Sequence, residues 1–444
     1  MGWWNRGREG QQSGVALFRG GWVPRPEDFR SIEAAGIRLG PAKRLEARWS
    51  AEVEHPRWGR GTLVSAPGFP VPPELLVALD SRLNENEKAE VASCRVAVGL
   101  SCERRTGNVL ADRKDLLRFL HALLGDAGIA ALDCSAQAIW SRGGLEAELA
   151  HDAELDIEAI HTLHLIQSGS DDPSRRTEEG VCWLHSHGLA NIGFWDFDIL
   201  DPSPDLTGHA QDLLRALAFN VVEARLAPDG APGWLAEGAS VRAVSVREFL
   251  RDSRAEDHLQ YRAMVDPDHT EKHAVLCDED AQTRVRRFFR GSWPRPSRFL
   301  QAPIPERLMI LFSTSATQLM ARRARESFGV FREAVRELAE FEFSALVKLG
   351  YRVDGGGEDE REHLWFQVNE VHDESVDATL INSPCRIARL RANDRQRHAL
   401  DVLSDWTIST PFGQVNPRQT RTLRFLRENR VHIRDLMRSN SARS

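Results

Sequence analysis

The sequence predicts a multidomain α+β protein with mixed, largely antiparallel sheets and packed helices. Its 444 residues correspond to about three domains at roughly 150 residues each. In the middle third, segments of period two, typical of strands, alternate with segments of helical spacing. In the last third, a long helical pattern precedes several short strand-like segments, which predicts a long helix and a small curled β-sheet or barrel-like module.

The first predicted domain, residues 1–89, is a small turn-rich region. Eight prolines interrupt it and leave only short strand-like pieces, such as 45–53. The polar run at 84–88 ends this domain, and a strand-like segment begins the next one at residue 94.

The second predicted domain, residues 90–305, has helices packed on one face of a largely antiparallel sheet. Its last part, 251–305, is charged and rich in proline, and we interpret it as an irregular Pro/Arg-rich connector. The predicted strands are 94–100, 129–139, 160–166, 181–187, 194–199 and 241–246, and the predicted helices are 109–124 and 210–224.

The third predicted domain is the C-terminal module, residues 306–440. A long helix is predicted from about Ser315 to Leu349, because apolar residues recur at spacings of three and four and form one stripe. Glycines at 355–357 follow it. The predicted strands are 364–368, 376–381, 385–387 and 399–403, and an Arg-rich helix is predicted at about 420–437.

Composition and termini exclude several classes of protein. A net charge of -7 argues against a general nucleic-acid binder, which needs a broad basic surface to displace counterions from phosphates. The six cysteines form no CxxC pair, which is typical of reduced cytoplasmic thiols. The sequence shows no secretory signal and no membrane-spanning apolar run, so we expect a cytoplasmic protein without a membrane partner.

Four segments of the last third carry a family resemblance: Ala324–Phe328, His363–Val368, Ala378–Pro384 and Leu403–Trp406. In order and spacing they resemble the bacterial domain of unknown function 2314, over about residues 317–430. The motif residues that we interpret as structural are Phe328, Trp365, Asn382, Pro384, Asp405 and Trp406.

A second resemblance lies in the central domain. The segment Trp183–Leu189, followed by Gly193 and an acidic strand, resembles the bacterial domain of unknown function 4026. Together the two resemblances imply a bacterial cytoplasmic protein, of a kind sometimes linked by gene neighbourhood to toxin and immunity systems. They imply no activity and supply no catalytic residues.

The same segment holds the sharpest candidate for chemistry. On a strand, His185 and His187 share one face, while Cys182 points to the other. If His187 lies opposite Asp196, then His185 faces Asp198, and the four side chains could hold zinc or iron or perform acid-base chemistry. A register shift of one residue would destroy this site.

The preferred interpretation of these four residues is structural. Short His-x-His segments are common, and a metal site usually needs a third ligand of known spacing. We therefore expect no cofactor, with a divalent metal, zinc or iron, as the alternative. His161 and His164, which have no carboxylate motif nearby, are interpreted as structural histidines.

A basic segment at 284–298 interleaves arginine with aromatic residues, a composition that can clamp a nucleic acid or an acidic partner. The alternative is internal pairing with the acids at 278–280. The candidate partner-binding residues are Arg286, Arg287, Phe288, Arg290 and Trp293.

No phosphate-binding loop or nucleophile elbow occurs, and the sequence identifies no catalytic residue. The first hypothesis is therefore a non-enzymatic protein-interaction or regulatory factor, immunity-like, with an unidentified protein partner. The alternative is a metal-dependent hydrolase-type enzyme centred on His185 and His187. A weaker alternative is nucleic-acid binding through 284–298, although nucleic acid is not the expected partner.

Overall fold

The computed structural model shows an α+β fold with three mostly antiparallel sheets, which confirms the predicted class, and no sheet within the described residues closes into a barrel. Two compact units divide the chain, residues 1–142 with 155–313 and residues 143–154 with 314–444. The residues described are 11–20, 22–45, 48–66, 71–80, 82–105, 107–152, 155–167, 182–190, 193–202, 206–224, 233–236, 239–253, 258–265, 267–278, 300, 314–341, 343–357, 360–410 and 413–434.

The first sheet lies in the N-terminal part of the first unit. Its strands run in the order β2-β4-β5-β6-β1-β7-β8, and β3 pairs with β4. The strands are β1 (Gln11–Arg19), β2 (Arg38–Leu39), β3 (Lys43–Leu45), β4 (Arg48–His55), β5 (Gly59–Ser65), β6 (Cys94–Glu103), β7 (Gly128–Asp133) and β8 (Ala138–Ser141). The helices beside them are α1 (Glu74–Leu79), α2 (Glu85–Ala92) and α3 (Val109–Leu124).

The predicted boundary at residue 89 falls inside this sheet. Strand β6, which the sequence analysis assigned to the next domain, pairs with both β1 and β5. The described prolines of the N-terminal region lie between strands and interrupt the pattern without ending the sheet, because a turn needs no ladder hydrogen bond. Residues 11–141 thus contribute to one sheet.

The second sheet also belongs to the first unit and has the order β12-β13-β14-β11-β10-β9. All its neighbouring strands are antiparallel except β11 and β14, which are parallel. The strands are β9 (Thr162–Gln167), β10 (Cys182–His187), β11 (Asp196–Leu200), β12 (Gly233–Ala236), β13 (Ala239–Ser245) and β14 (His273–Asp278). Helix α4 (Arg142–Leu149) precedes this sheet in the chain and belongs to the second unit from Gly143 onwards. The helices of this region are α5 (Thr207–Ala224), α6 (Val246–Asp252), α7 (Leu259–Met264) and α8 (Pro267–Lys272).

The predicted irregular connector contains an internal strand of the second sheet. Strand β14 pairs with β11 on one side and β13 on the other, and residues 273–277 are buried. A short apolar run between charged segments is the pattern of a strand covered on both faces, but the charged flanks made this segment resemble a connector. The described part of 251–305 also includes α7 and α8.

The third sheet forms the core of the second unit, in the order β18-β17-β16-β15-β19-β20. The helices α9 (Thr314–Glu337) and α10 (Thr420–Glu428) contribute buried apolar residues to the same core as the sheet. The strands are β15 (Ser344–Arg352), β16 (Arg361–Val371), β17 (Ser375–Leu380), β18 (Arg395–Ala399), β19 (Leu403–Thr410) and β20 (Gly413–Val415).

The predicted long helix ends earlier than the sequence suggests. Helix α9 stops at Glu337, and residues 344–352 form β15 instead of continuing the helix to Leu349. Ala345, Val347 and Leu349 are buried, so the same residues also fit a period of two. Pairing of β15 with β16 and β19 satisfies its backbone groups on both sides and decides between the two patterns.

Short 3₁₀ helices connect several of these elements, at Pro26–Ala35, Ile157–Ala159, Ala339–Phe341, Leu400–Val402 and Pro417–Gln419. Among the residues that the structure describes, no helix has the length and apolar character needed to cross a bilayer.

Candidate metal centre

One face of the second sheet gathers histidines from neighbouring strands. His185 of β10 lies opposite Asp198 of β11 and opposite His164 of β9. This is the register on which the sequence-based metal hypothesis depends. Because side chains alternate along a strand, His187 lies on the same face as His185, and the row extends across three strands.

His164, His185 and His187, called the three-histidine group below, come together on this face. Their ligand nitrogens all lie within 4.8 Å of one another. The ring centroids are 5.3 Å apart for His164 and His185, 5.0 Å for His164 and His187, and 4.7 Å for His185 and His187. Two imidazoles on one tetrahedral zinc have centroids about 5 Å apart, since each nitrogen lies about 2 Å from the metal and the ring centre about 1 Å beyond it.

Burial keeps the three-histidine group neutral. It lowers the pKa of His185 to about 2, with a further contribution from the neighbouring His187. Burial also lowers the pKa of His187 and of His164. Neutral imidazole is the form that binds metals, so no proton competes for these nitrogens at neutral pH.

His185 has a polar atom without a partner. Its side chain is 4% exposed, and its Nδ1 atom makes no hydrogen bond with any described residue. Leaving a buried ring nitrogen unpaired costs about 1–3 kcal/mol, so such an atom indicates a missing partner. The ring of Trp183 packs against His185 with centroids 4.4 Å apart and shields it from solvent on that side.

Asp198 occupies a second, deeper position. It is fully buried and accepts hydrogen bonds from Tyr261 Oη at 2.5 Å, His269 Nε2 at 2.7 Å and His273 Nδ1 at 3.3 Å. Burial acts to raise the pKa of Asp198, but His273 and the hydrogen bonds from both histidines outweigh it and hold the pKa well below its usual value. Asp198 is therefore an anion with three donors around it.

His269 and His273 both hydrogen-bond to the Asp198 carboxylate. They are four residues apart, and their rings stack with centroids 3.6 Å apart and an interplanar angle of 20°. Although their ligand atoms and those of Asp198 lie within 4.8 Å of one another, parallel stacked rings do not converge on one ion, which needs centroids about 5 Å apart. Hydrogen bonding to Asp198 accounts for this geometry better than ligation.

Asp196, which the sequence suggested as a metal ligand, stabilises the turn after β10 instead. Its carboxylate accepts Ser186 Oγ at 2.9 Å and the backbone N–H groups of Gly188, Leu189 and Ala190 at 3.1, 3.2 and 3.1 Å. A carboxylate has about four lone-pair sites, and these four hydrogen bonds fill them. Its oxygens lie within reach of His187 and His273, but they have no free capacity for a metal ion.

Several members of this cluster were not predicted from the sequence. His164 was predicted to be structural, whereas pairing of β9 with β10 places it beside His185. Tyr261, His269 and His273 lie in the segment that was interpreted as a connector. The His-x₃-His spacing of His269 and His273 was the available signal. By contrast, His161 is a buried structural histidine whose Nδ1 contacts the Ile157 carbonyl at 3.0 Å.

Most of the family-motif residues of the C-terminal module have structural contacts. Phe328 and Trp406 are buried in the core of the second unit. The Asn382 side chain accepts the Trp365 backbone N–H at 2.6 Å and so links the segment after β17 to the middle of β16. Asp405 accepts the N–H of Trp406 at 2.8 Å, within β19 and beside a register shift, not at a strand end.

Pro384, the remaining motif residue, is half-buried and begins a turn. The next two backbone N–H groups, of Cys385 and Arg386, donate to the Glu362 carboxylate at 2.7 and 2.9 Å. The predicted strand at 385–387 is therefore a turn held by one carboxylate. The candidate partner-binding residues at 286–293 lie outside the described residues.

Two family models match parts of the chain. Residues 166–255 match the family model described as a protein of unknown function (DUF4026), C-terminal. Residues 315–428 match the one described as an uncharacterized protein conserved in bacteria (DUF2314). Both predicted resemblances are confirmed. The DUF4026 match includes His185, His187 and Asp198 but not His164, His269 or His273. No curated protein and no solved structure matches the chain.

The stability of the first unit is expected to fall as the pH decreases below about 6.5. The folded protein keeps His185 neutral because burial lowers its pKa to about 2, whereas the unfolded chain protonates this residue near its ordinary pKa. The unfolded state then binds more protons, so each such histidine costs about 1.4 kcal/mol per pH unit as the pH falls from about 6.5 towards 3.

Urea unfolding of the metal-free protein at pH 7, 6, 5 and 4, followed by hydrogen exchange of peptides from β10 and β11, measures this dependence. The His185→Gln variant lacks the titrating group and should show a shallower slope. Equal stability of the wild type at pH 7 and pH 4 would contradict the expectation.

Proposed function

We propose that the first unit binds one divalent metal ion through the three-histidine group and that the protein is a metal-dependent hydrolase-type enzyme. The observation that carries this proposal is the match between the three ring spacings, 4.7 to 5.3 Å, and the spacing of imidazoles on a tetrahedral ion. The unpartnered Nδ1 atom of the buried His185 supports it.

Three protein ligands leave one coordination position open, which is the composition of catalytic zinc sites. His164 and His187 are half-buried, so solvent can approach the group from their side. Neutral imidazoles would hold the ion without reducing its charge, and the chemistry that the ion would supply is activation of water for hydrolysis. The group contains no carboxylate, and non-haem iron sites commonly have one, so zinc fits better than iron.

The protein-interaction hypothesis stays a prediction. Its candidate binding residues at 286–293 lie outside the described residues, and the C-terminal module's motif residues are engaged in packing or in backbone hydrogen bonds. The cluster on the second sheet is the specific observation, and it favours the enzymatic alternative.

Metal analysis of untagged protein, purified without chelator, tests the proposal. We expect about one equivalent of metal per chain in the wild type. The double variant His185→Ala/His187→Ala should hold less than about a tenth of that, since each substitution removes one ligand. A matched control is His372→Ala/His432→Ala, which removes two histidines of the second unit that lie outside the cluster.

Circular dichroism is used to check that each variant is folded. A folded wild type that holds no metal as purified and none after dialysis against zinc, cobalt or iron(II) salts would overturn the proposal. Metal retained by the His185→Ala/His187→Ala variant would place the ion elsewhere and overturn the assignment of ligands.

A further inference from the structure

An arginine lies at the edge of the three-histidine group. Thr162, the first residue of β9, is the cross-strand partner of His187 and shares a face with His164, two residues later. The Thr162 hydroxyl donates to the Ala136 carbonyl at 2.7 Å and accepts Arg82 Nη2 at 3.3 Å. The Thr162 side chain therefore links the Arg82 guanidinium to the face of the sheet that carries the histidines.

The positive charge of Arg82 also acts on a histidine of this group. Burial lowers the pKa of His164, and the positive charge of Arg82 lowers it further. The opposing contribution of Asp80 is smaller. This influence on a histidine ring indicates that the guanidinium is close enough to act on a ligand bound there.

Arg82 is held in a fixed orientation. Its Nε and Nη2 atoms donate to the two oxygens of Asp80 at 3.0 and 2.9 Å. Asp80 is itself 5% exposed and accepts the backbone N–H of Ile139 at 2.9 Å. The guanidinium carbon lies 6.0 Å from the centroid of the Trp140 ring. An anchored guanidinium loses little side-chain entropy when it binds a further group.

One nitrogen of this guanidinium remains available. Asp80 occupies the edge formed by Nε and Nη2, and the second N–H of Nη2 donates to Thr162 Oγ1 at 3.3 Å. Within the described residues, Nη1 has no hydrogen-bond partner, and the side chain is 27% exposed. Charged N–H groups such as those of Nη1 donate strong hydrogen bonds to the oxygens of a carboxylate or a phosphate.

We propose that Arg82 is a specificity-determining residue that binds the anionic group of a substrate whose reacting part occupies the open metal position. The inference rests on the proposed metal site. A dication held by three neutral imidazoles would leave the site positive, and Nη1 of Arg82 adds charged donors for an oxyanion. The substrate class is thus a small molecule or chain end that carries a carboxylate or a phosphate.

Anion binding to the cobalt(II)-loaded protein tests this assignment, because visible absorption of the ion reports ligands at the open position. Acetate and inorganic phosphate are titrated separately, which distinguishes the two anions. We expect the wild type to bind one of them roughly tenfold more tightly than Arg82→Gln does, as for the loss of one charged hydrogen-bonding group.

Two further variants separate binding from folding. Arg82→Lys keeps a charge that can pair with Asp80 but loses the Nη1 donors, and it should also weaken anion binding. Arg60→Gln removes an exposed arginine that pairs with Glu54 at 3.1 Å, and it should bind as the wild type does. Cobalt content and circular dichroism are measured for each variant.

The outcomes distinguish this inference from the proposed function. Stoichiometric cobalt with equal anion affinity in wild type, Arg82→Gln and Arg82→Lys overturns the role of Arg82 and leaves the metal site intact. Stoichiometric cobalt with no binding of either anion has the same consequence. A wild type that binds no cobalt overturns the metal site and, with it, the anion site.

Discussion

Replacing Asp198 by asparagine is expected to destabilise the first unit by roughly 3 kcal/mol. The buried carboxylate accepts hydrogen bonds from Tyr261, His269 and His273. An amide has one oxygen, and its NH₂ group would face donors, so at least one donor would lose its acceptor. Burial and Asp198 raise the pKa of Tyr261 well above its usual value, so the phenol stays protonated and cannot become an acceptor.

Hydrogen exchange of peptides from β10, β11 and β14 measures this effect locally, and exchange should accelerate about 100-fold for 3 kcal/mol. Asp201→Asn is the matched control. Asp201 directly follows β11 and is exposed, and asparagine tolerates its positive φ of 48° as aspartate does. The control should change stability by less than about 0.5 kcal/mol. Equal protection in Asp198→Asn and wild type would show that the carboxylate is not a stabilising acceptor.

The Trp406→Ala variant is expected to destabilise the second unit by about 3–5 kcal/mol. Trp406 is fully buried, and its ring lies 5.0 Å from that of Phe331 in α9. Its Nε1 atom donates to Ser327 Oγ at 3.0 Å, which joins β19 to α9. Alanine would leave a cavity between the sheet and the helix and remove this hydrogen bond.

Trp365→Ala is a matched control in the same module. Trp365 is half-buried, and its ring contacts the Lys348 ammonium, 5.4 Å from the centroid. Such a contact contributes about 0.5–1 kcal/mol. Hydrogen exchange of β15 and β19 compares the two variants. If Trp365→Ala destabilised β19 as much as Trp406→Ala did, the open face of the sheet and its buried face would contribute equally, and the core assignment would be wrong.

Local patterns predicted part of the candidate site. The alternation of side chains on a strand is a property of the backbone, so His185 and His187 had to share one face. The short connection between β10 and β11 limited the register, and His185 does lie opposite Asp198. The strand assignments at 182–187 and 196–200 follow from the same pattern.

The roles of the two aspartates were not predictable in this way. Alternation places Asp196 and Asp198 on the same face of β11, so the pattern does not distinguish them. Yet the Asp196 carboxylate accepts hydrogen bonds from a turn, and the Asp198 carboxylate accepts them from Tyr261, His269 and His273. These donors belong to segments that are distant in the chain or to a loop whose path the pattern does not specify. Hydrogen-bond partners are a tertiary property, and they decide which carboxylate has capacity for further contacts.

The sequence by itself determined the α+β class, the two family resemblances and the pair of histidines on one strand, because each depends on short-range spacing. Only the tertiary structure decided that residues 344–352 are a strand, since both periods fit them and pairing with β16 and β19 selects one. It also brought His164 to His185 and His187, through sheet neighbours that no spacing in the sequence specifies.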